Sequence, residues 1–276
     1  MLVDYRDYLE RLRRWETVAT IRQYGEVIER GQPYPLLCLT TPGARELVIT
    51  AGFHGEEPAG PLTLLTHFGQ VAEYAREHDV ALRVFPCVNP SGFEAGHRYN
   101  ASGEQPNNDF IRYELTPGEI VDEVSVGQPF HAWHDFYGSP KETLALHREL
   151  ERHPPPIGAL DLHQDAWVKA ACFYAYHFGP KAPYQALVKE SLAHAKVAIH
   201  LAVHNLLRTD HCGLIVHHDG SNSDWFYRRG VKYVAVLETT TRTELAASHA
   251  INLVWIRGLI RLVANVSPSP AGRGSG

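Results

Sequence analysis

Short apolar runs that end abruptly in polar residues alternate along this chain with longer stretches of helical spacing. Residues 4–15 read as a helix, and the segment from Gly25 to Pro33 reads as a hairpin of two short strands around a Gly/Pro turn. Tyr34 to Thr40 and Glu46 to Ala51 are β-rich apolar runs divided by Thr41-Pro42-Gly43-Ala44. The second run delivers its end to Gly52-Phe53-His54-Gly55-Glu56-Glu57. From Pro58 to about Glu77, Leu62, Leu65, Phe68 and Ala72 recur at helical spacing, and Ala81 to Val88 supplies the next strand. This βαβ order predicts an α/β fold with a mixed, mostly parallel sheet flanked by helices. Functional sites in such folds lie outside the carboxyl ends of the strands.

Residues 89–135 are rich in Asn, Gly and Pro and show no sustained period, so they read as a functional loop too long for an ordinary connection. Lys141 to Arg152 predicts a helix stopped by Pro154-Pro155-Pro156, and Ile157 to His163 a buried strand with polar residues at its end. Tyr233 to Leu237 is another buried strand, ending in Glu238, and Glu244 to Val263 a final amphipathic helix. With no internal repeat and no linker, one domain is expected over 1–266, followed by a disordered tail over 267–276.

Composition narrows the function classes. Hydrophobic residues at 44% and charged residues at 21% describe a globular chain. The net charge of −5 comes without a Lys/Arg cluster, which argues against nucleic acid as a partner. Cys38, Cys87, Cys172 and Cys212 are too dispersed for a disulfide framework and read as reduced, mostly buried thiols. The first ten residues carry charge where a signal peptide would be apolar, and no 18-residue apolar run occurs. The expectation is therefore a cytoplasmic protein without a membrane partner. Seventeen histidines are many, but their abundance selects no site.

Spacing selects one. His54 and Glu57 stand three apart at a strand-to-helix turn, where an imidazole nitrogen and a carboxylate can converge on one cation. Alone the pair is weak, because a glutamate is favoured at any helix start by the helix dipole. Asp161-Leu162-His163 closes an apolar strand that should end on the same sheet edge, so His163 completes a set of two histidines and a glutamate. Three protein ligands leave a coordination position for water, the catalytic arrangement. Glu238 ends a third strand at that edge and is the candidate general base. By itself it would read as a surface carboxylate, and the agreement between the three segments is what carries the weight.

These segments together resemble the zinc metallocarboxypeptidase family. Gly52 to Glu57 is similar to its first metal motif, Asn89-Pro90-Ser91-Gly92-Phe93 to its Asn-Pro-x-Gly-aromatic loop, and His163 to its second histidine ligand. Gly220 to Glu238 follows the family pattern with about one inserted residue. The resemblance implies an eight-stranded mixed sheet, one zinc per chain and a glutamate-promoted water attacking the scissile carbonyl. It also implies that Arg98, in the loop after Asn89, stabilises the oxyanion. Pro106-Asn107-Asn108-Asp109-Phe110 departs from the family's Pro-Asn-Arg-Asn-aromatic segment, with Asn108 in place of the arginine that would grip a substrate carboxylate. Asn107, Asn108 and Arg112 are the candidate substrate contacts, and Arg112 or Arg242 the candidate replacements for the missing cation. Gln105 stands where the family favours an acidic residue that orients a metal histidine, and Asp161 is the candidate to take over that role. Where the family's mobile tyrosine would fall, only His217 and His218 offer comparable hydrogen bonding.

The preferred reading is a carboxypeptidase-like hydrolase of peptide or amide bonds, acting on a small peptide or acyl-amino-acid substrate. A deacylase or amidase acting on N-acyl amino acids or cell-wall peptide fragments is the alternative, favoured slightly by Asn108. A degenerate binding protein would more often have lost one of His54, Glu57, His163 and Glu238, all of which are present. Oligomeric state is left open by the sequence.

Overall fold

The structure is a computed structural model that describes residues 4–203 and 207–266. The disordered tail expected over 267–276 lies outside the described residues. The chain begins with α1 (Tyr5–Leu12), capped by the Asp4 carboxylate, and a 3-10 turn (Arg13–Thr17). A hairpin follows, of β1 (Thr20–Glu29) and β2 (Gln32–Thr40). Its strands are longer than the sequence suggested, and Arg30 and Gly31 form the two-residue turn with φ of 50° and 82°. That left-handed pair matches the strand twist of a tight hairpin. Pro33 and Pro35 are tolerated because β2 bonds its other neighbour only at Leu39 and Thr40.

Next come β3 (Arg45–Ala51), α2 (Ala59–Glu77), β4 (Val80–Phe85) and α3 (Pro90–Ala95). The segment expected to be an irregular loop then folds into a small antiparallel sheet of β5 (Ile111–Glu114), β6 (Ile120–Val121) and β7 (Ala132–Asp135). Strands of two to four residues are too short to establish a period, although Ile111 and Tyr113 alternate inward as a strand requires. The remaining elements are α4 (Lys141–Glu151), β8 (Gly158–Asp165), β9 (Cys172–Phe178), α5 (Ala182–Ser191), β10 (Lys196–Val197), β11 (Leu214–Ile215), α6 (Asn222–Arg228), β12 (Tyr233–Thr240) and α7 (Leu245–Ala264).

Among the described residues nine strands form the main sheet, in the order β1-β2-β4-β3-β8-β12-β9-β10, with β11 also on β9. It is mixed and mostly parallel as expected, with one strand more than the eight implied by resemblance. Strands β3, β8 and β12 lie side by side in parallel at its centre, so their carboxyl ends share one edge. One face buries Leu160, Leu162, Ala235 and Leu237 with Leu64 and Phe68 of α2 and Ile251 and Trp255 of α7. On the other, Val48, Ala159 and Val234 pack with Phe110, Tyr113 and Trp225. Cover on both faces explains why β8 is buried along its whole length. No helix among the described residues is long and apolar enough to cross a membrane. The four cysteines are free thiols, three of them buried.

Candidate active site

The turn after β3 is held by its glycines and by one asparagine. Gly52 has φ of +71°, and a Cβ on Gly55 would stand 1.9 Å from the Gly92 carbonyl carbon, so only glycine permits the close approach of the two loops. Asn89 locks that approach. Its Oδ1 accepts from the Gly92 N–H at 2.9 Å, while its Nδ2 donates to the carbonyls of Phe53 (3.1 Å) and Arg98 (3.3 Å). The Asn-Pro-x-Gly segment thus places the His54 turn and the Arg98 loop together.

Within this frame Glu57 is the meeting point of two strands. His54 Nδ1 lies 2.8 Å from Glu57 Oε1, and His163 Nδ1 lies 2.8 Å from Glu57 Oε2. The Gln164 N–H donates to Glu57 Oε2 at 3.0 Å. All three side chains are buried, with donor atoms within 4.8 Å of one another. Asp161 sits two residues before His163 and therefore on the same face of β8. Its Oδ2 is 3.0 Å from His163 Nε2, while Thr50 Oγ1 donates to Oδ1 at 2.8 Å and is itself held by Asn222. This chain orients the ring. With Nε2–H given to Asp161, a neutral His163 presents a lone pair at Nδ1 to a carboxylate oxygen. Two acceptors at that distance need a positive charge between them, either a proton or a metal ion. The nitrogen, oxygen and nitrogen donors are those of a zinc site, so the residues fit the ion.

The electrostatics agree. Burial opposes the charge on Glu57, but the imidazoles of His54 and His163 outweigh it and hold the carboxyl well below its ordinary range. Burial likewise works against protonating His163, yet Asp161 and Glu57 raise its proton affinity well above that of a free imidazole.

Parallel register puts Glu238 directly opposite His163, and antiparallel register puts Tyr174 opposite Glu238. Burial pushes the Glu238 carboxyl well above its ordinary range, with His163 pulling it down and Glu57 and Asp165 pushing it further up. Its Oε2 is buried with no partner among the described residues, as is Nε2 of His54. Arg98 lines the same site, with Nη1 3.3 Å from both Glu56 Oε1 and Glu57 Oε1.

These groups line a cleft of about 630 Å³. Asn107 and Asn108 lie on its wall, and the Asn107 Oδ1 is buried without a partner among the described residues. Asn108 directs its amide toward Asp219, 3.4 Å from both the carbonyl and a carboxylate oxygen. Arg112 also lines the cleft but is committed, ion-paired to Asp122 at 2.8 Å and lying 3.7 Å over the Phe136 ring. Arg242 is exposed and not among the lining residues. His217 faces the cleft, whereas His218 turns to Asp224 at 2.9 Å and stacks on Tyr227. Sequence reasoning missed Tyr174, Tyr176, Asp165 and Asp219, which complete the cleft. The apolar and aromatic alternation of Cys172 to Phe178 could have revealed β9, and with it that both tyrosines share a face.

Comparison with known proteins agrees with this geometry. Residues 14–257 match the zinc carboxypeptidase family. Murein peptide amidase A of Escherichia coli is 37% identical over 89 residues, covering 32% of this chain and 35% of that protein, so the match spans about a third of the relative's length. A candidate metallopeptidase from Shewanella amazonensis superposes with a TM-score of 0.73 at 26% identity, covering 95% of this chain and 93% of the other. Bovine thrombin-activatable fibrinolysis inhibitor shares the fold, with a TM-score of 0.62 at 17% identity over 95% and 96% of the two chains. With the family pattern running along most of its length and the same fold beneath it, this chain belongs to the zinc carboxypeptidase family.

Proposed function

We propose that His54, Glu57 and His163 hold one zinc, that Glu238 is the general base and Arg98 the oxyanion-stabilising cation, and that the bond cleaved is an amide of a peptide-like substrate. The observation that carries this reading is the convergence of the three donors with Glu238 opposite His163 in one cleft. When bound, zinc supplies a lowered water pKa and polarisation of the scissile carbonyl. Glu238, its basicity raised by burial, takes the proton of the attacking water and returns it to the leaving nitrogen. Arg98 offers its guanidinium to the oxygen that gains charge, a role consistent with its place beside Glu57. Asp161 keeps His163 in the tautomer that leaves Nδ1 free.

Substrate choice follows from Asn108. An amide over Asp219 cannot grip a terminal carboxylate as a guanidinium would, and Arg112 is paired elsewhere. This favours the amidase reading over ordinary removal of C-terminal residues, and the partial match to a murein peptide amidase supports cell-wall peptide fragments as the substrate class. We place the reaction in the cytoplasm. The test is an assay of metal-stripped and zinc-reloaded protein on murein peptide fragments, N-acyl amino acids and peptides with free C-termini. Zinc-dependent cleavage of the first is expected. Preferential release of C-terminal residues would restore the carboxypeptidase reading, and no turnover of any would contradict the hydrolase.

A further inference from the structure

On the far side of the wall that carries Arg112, a second cluster has the composition of a metal site. Asp135 closes β7, while His147 and Glu151 stand one turn apart on α4. None of the three lines the cleft. The His147 side chain is fully buried, and neither ring nitrogen has a hydrogen-bond partner among the described residues. A neutral buried imidazole normally satisfies at least its N–H, and leaving both nitrogens unmet is costly. What Nε2 faces instead is a pair of carboxylate oxygens, Asp135 Oδ1 at 3.6 Å and Glu151 Oε1 at 3.9 Å. Those separations are too long for hydrogen bonds. A tetrahedral zinc with bonds of about 2.0–2.2 Å holds its ligand atoms about 3.3–3.6 Å apart, so the two spacings to His147 Nε2 need only a few tenths of an ångström of closure.

We infer that Asp135, His147 and Glu151 form a second cation site, specific for zinc or a similar transition-metal ion and separate from the catalytic centre. All three donor atoms fall within 4.8 Å of one another. The surroundings fix them from behind. Trp225 Nε1 donates to Asp135 Oδ1 at 2.8 Å, Tyr137 Oη donates to Glu151 Oε1 at 2.7 Å, and the His147 ring is stacked on Tyr137 at 4.5 Å between centroids. Burial keeps His147 neutral, as a ligand must be. An imidazole between two carboxylates selects zinc-like ions over magnesium or calcium, which take oxygen donors. Both carboxylates are about one-third exposed, at 32% and 30%, leaving the remaining coordination to solvent. The ion joins β7 to α4 and so clamps the small sheet that forms one wall of the cleft.

The experiment is a titration of metal-stripped full-length protein with Zn²⁺ in competition with a chromophoric chelator. Wild type is compared with Glu151→Gln, Asp135→Asn, His163→Ala and the double variant Glu151→Gln/His163→Ala. Glutamine and asparagine keep an oxygen that can accept from Tyr137 and Trp225, so the fold is retained. Glu151→Gln and Asp135→Asn should each bind one zinc equivalent fewer than wild type. The double variant should bind one fewer than His163→Ala, which separates this site from the catalytic one. Unchanged stoichiometry in Glu151→Gln, in either background, would overturn the inference whatever happens at the catalytic centre.

Discussion

Replacing Glu238 with glutamine isolates the general base from everything around it. The side chain keeps its shape and its position opposite His163, but it can no longer accept a proton. Loss of a positioned general base slows turnover about 100- to 10,000-fold, or about 2.7–5.4 kcal/mol of transition-state stabilisation. Zinc should stay bound, because the donors belong to His54, Glu57 and His163. Stability should move the other way. The Glu238 carboxyl is buried, one oxygen has no partner among the described residues, and its proton affinity is raised chiefly by burial. Where a folded-state pKa lies above the unfolded value, the group's stabilising contribution is full at low pH and is lost as pH rises through the folded pKa. A neutral glutamine therefore removes a penalty at pH 7. In a chain of this size each 1 kcal/mol so relieved raises the Tm by about 2–4 °C. The assay is kcat on the cleaved substrate, with metal content by elemental analysis and Tm of the zinc-free protein by calorimetry. A kcat within about tenfold of wild type, with zinc retained, would refute the base assignment. Loss of zinc together with activity would mean that Glu238 supports the metal instead.

Three further substitutions probe separate parts of the account. Asp161→Asn should weaken zinc affinity about 10- to 100-fold by releasing the His163 tautomer, read by chelator competition, and unchanged affinity would remove Asp161 from that role. Asn108→Arg should raise kcat/KM for peptides with a free C-terminal carboxylate at least about tenfold, since hydrogen bonds to charged groups contribute about 1.5–3 kcal/mol; no gain would mean that Asp219 or the cleft shape decides specificity. Glu149 is buried beneath Arg22 and His153, and although burial opposes its charge these partners hold its carboxyl below the ordinary range. A depressed folded pKa stabilises above the unfolded value near pH 4.5 and fades as pH falls. Glu149→Gln should accordingly cost about 1–3 kcal/mol at pH 7 and progressively less in acid, measured by urea unfolding. A cost independent of pH would contradict the pairing.

The centre of the sheet was legible because β3, β8 and β12 are apolar runs closed by polar residues, and buried parallel strands are read from that pattern. Their common edge then made His54, Glu57, His163 and Glu238 a single constellation. What escaped was made of pieces too short or too ambiguous to show a period. Strands β6, β10 and β11 are two residues each. In β9, the alternation of Cys172 to Phe178 puts Tyr174 and Tyr176 on one face, but which face turns to the cleft is set only by the pairing of β9 with β12. Asp219 and Arg112 have identities visible in the sequence, but their commitments, to Asn108 and to Asp122 with Phe136, arise only from tertiary packing.

The most direct test of the central claim is a crystal structure of the zinc-loaded protein with anomalous data collected across the zinc absorption edge. The account predicts a peak about 2.0–2.2 Å from His54 Nδ1, His163 Nδ1 and a Glu57 carboxylate oxygen. An anomalous map without density among those three residues would contradict it.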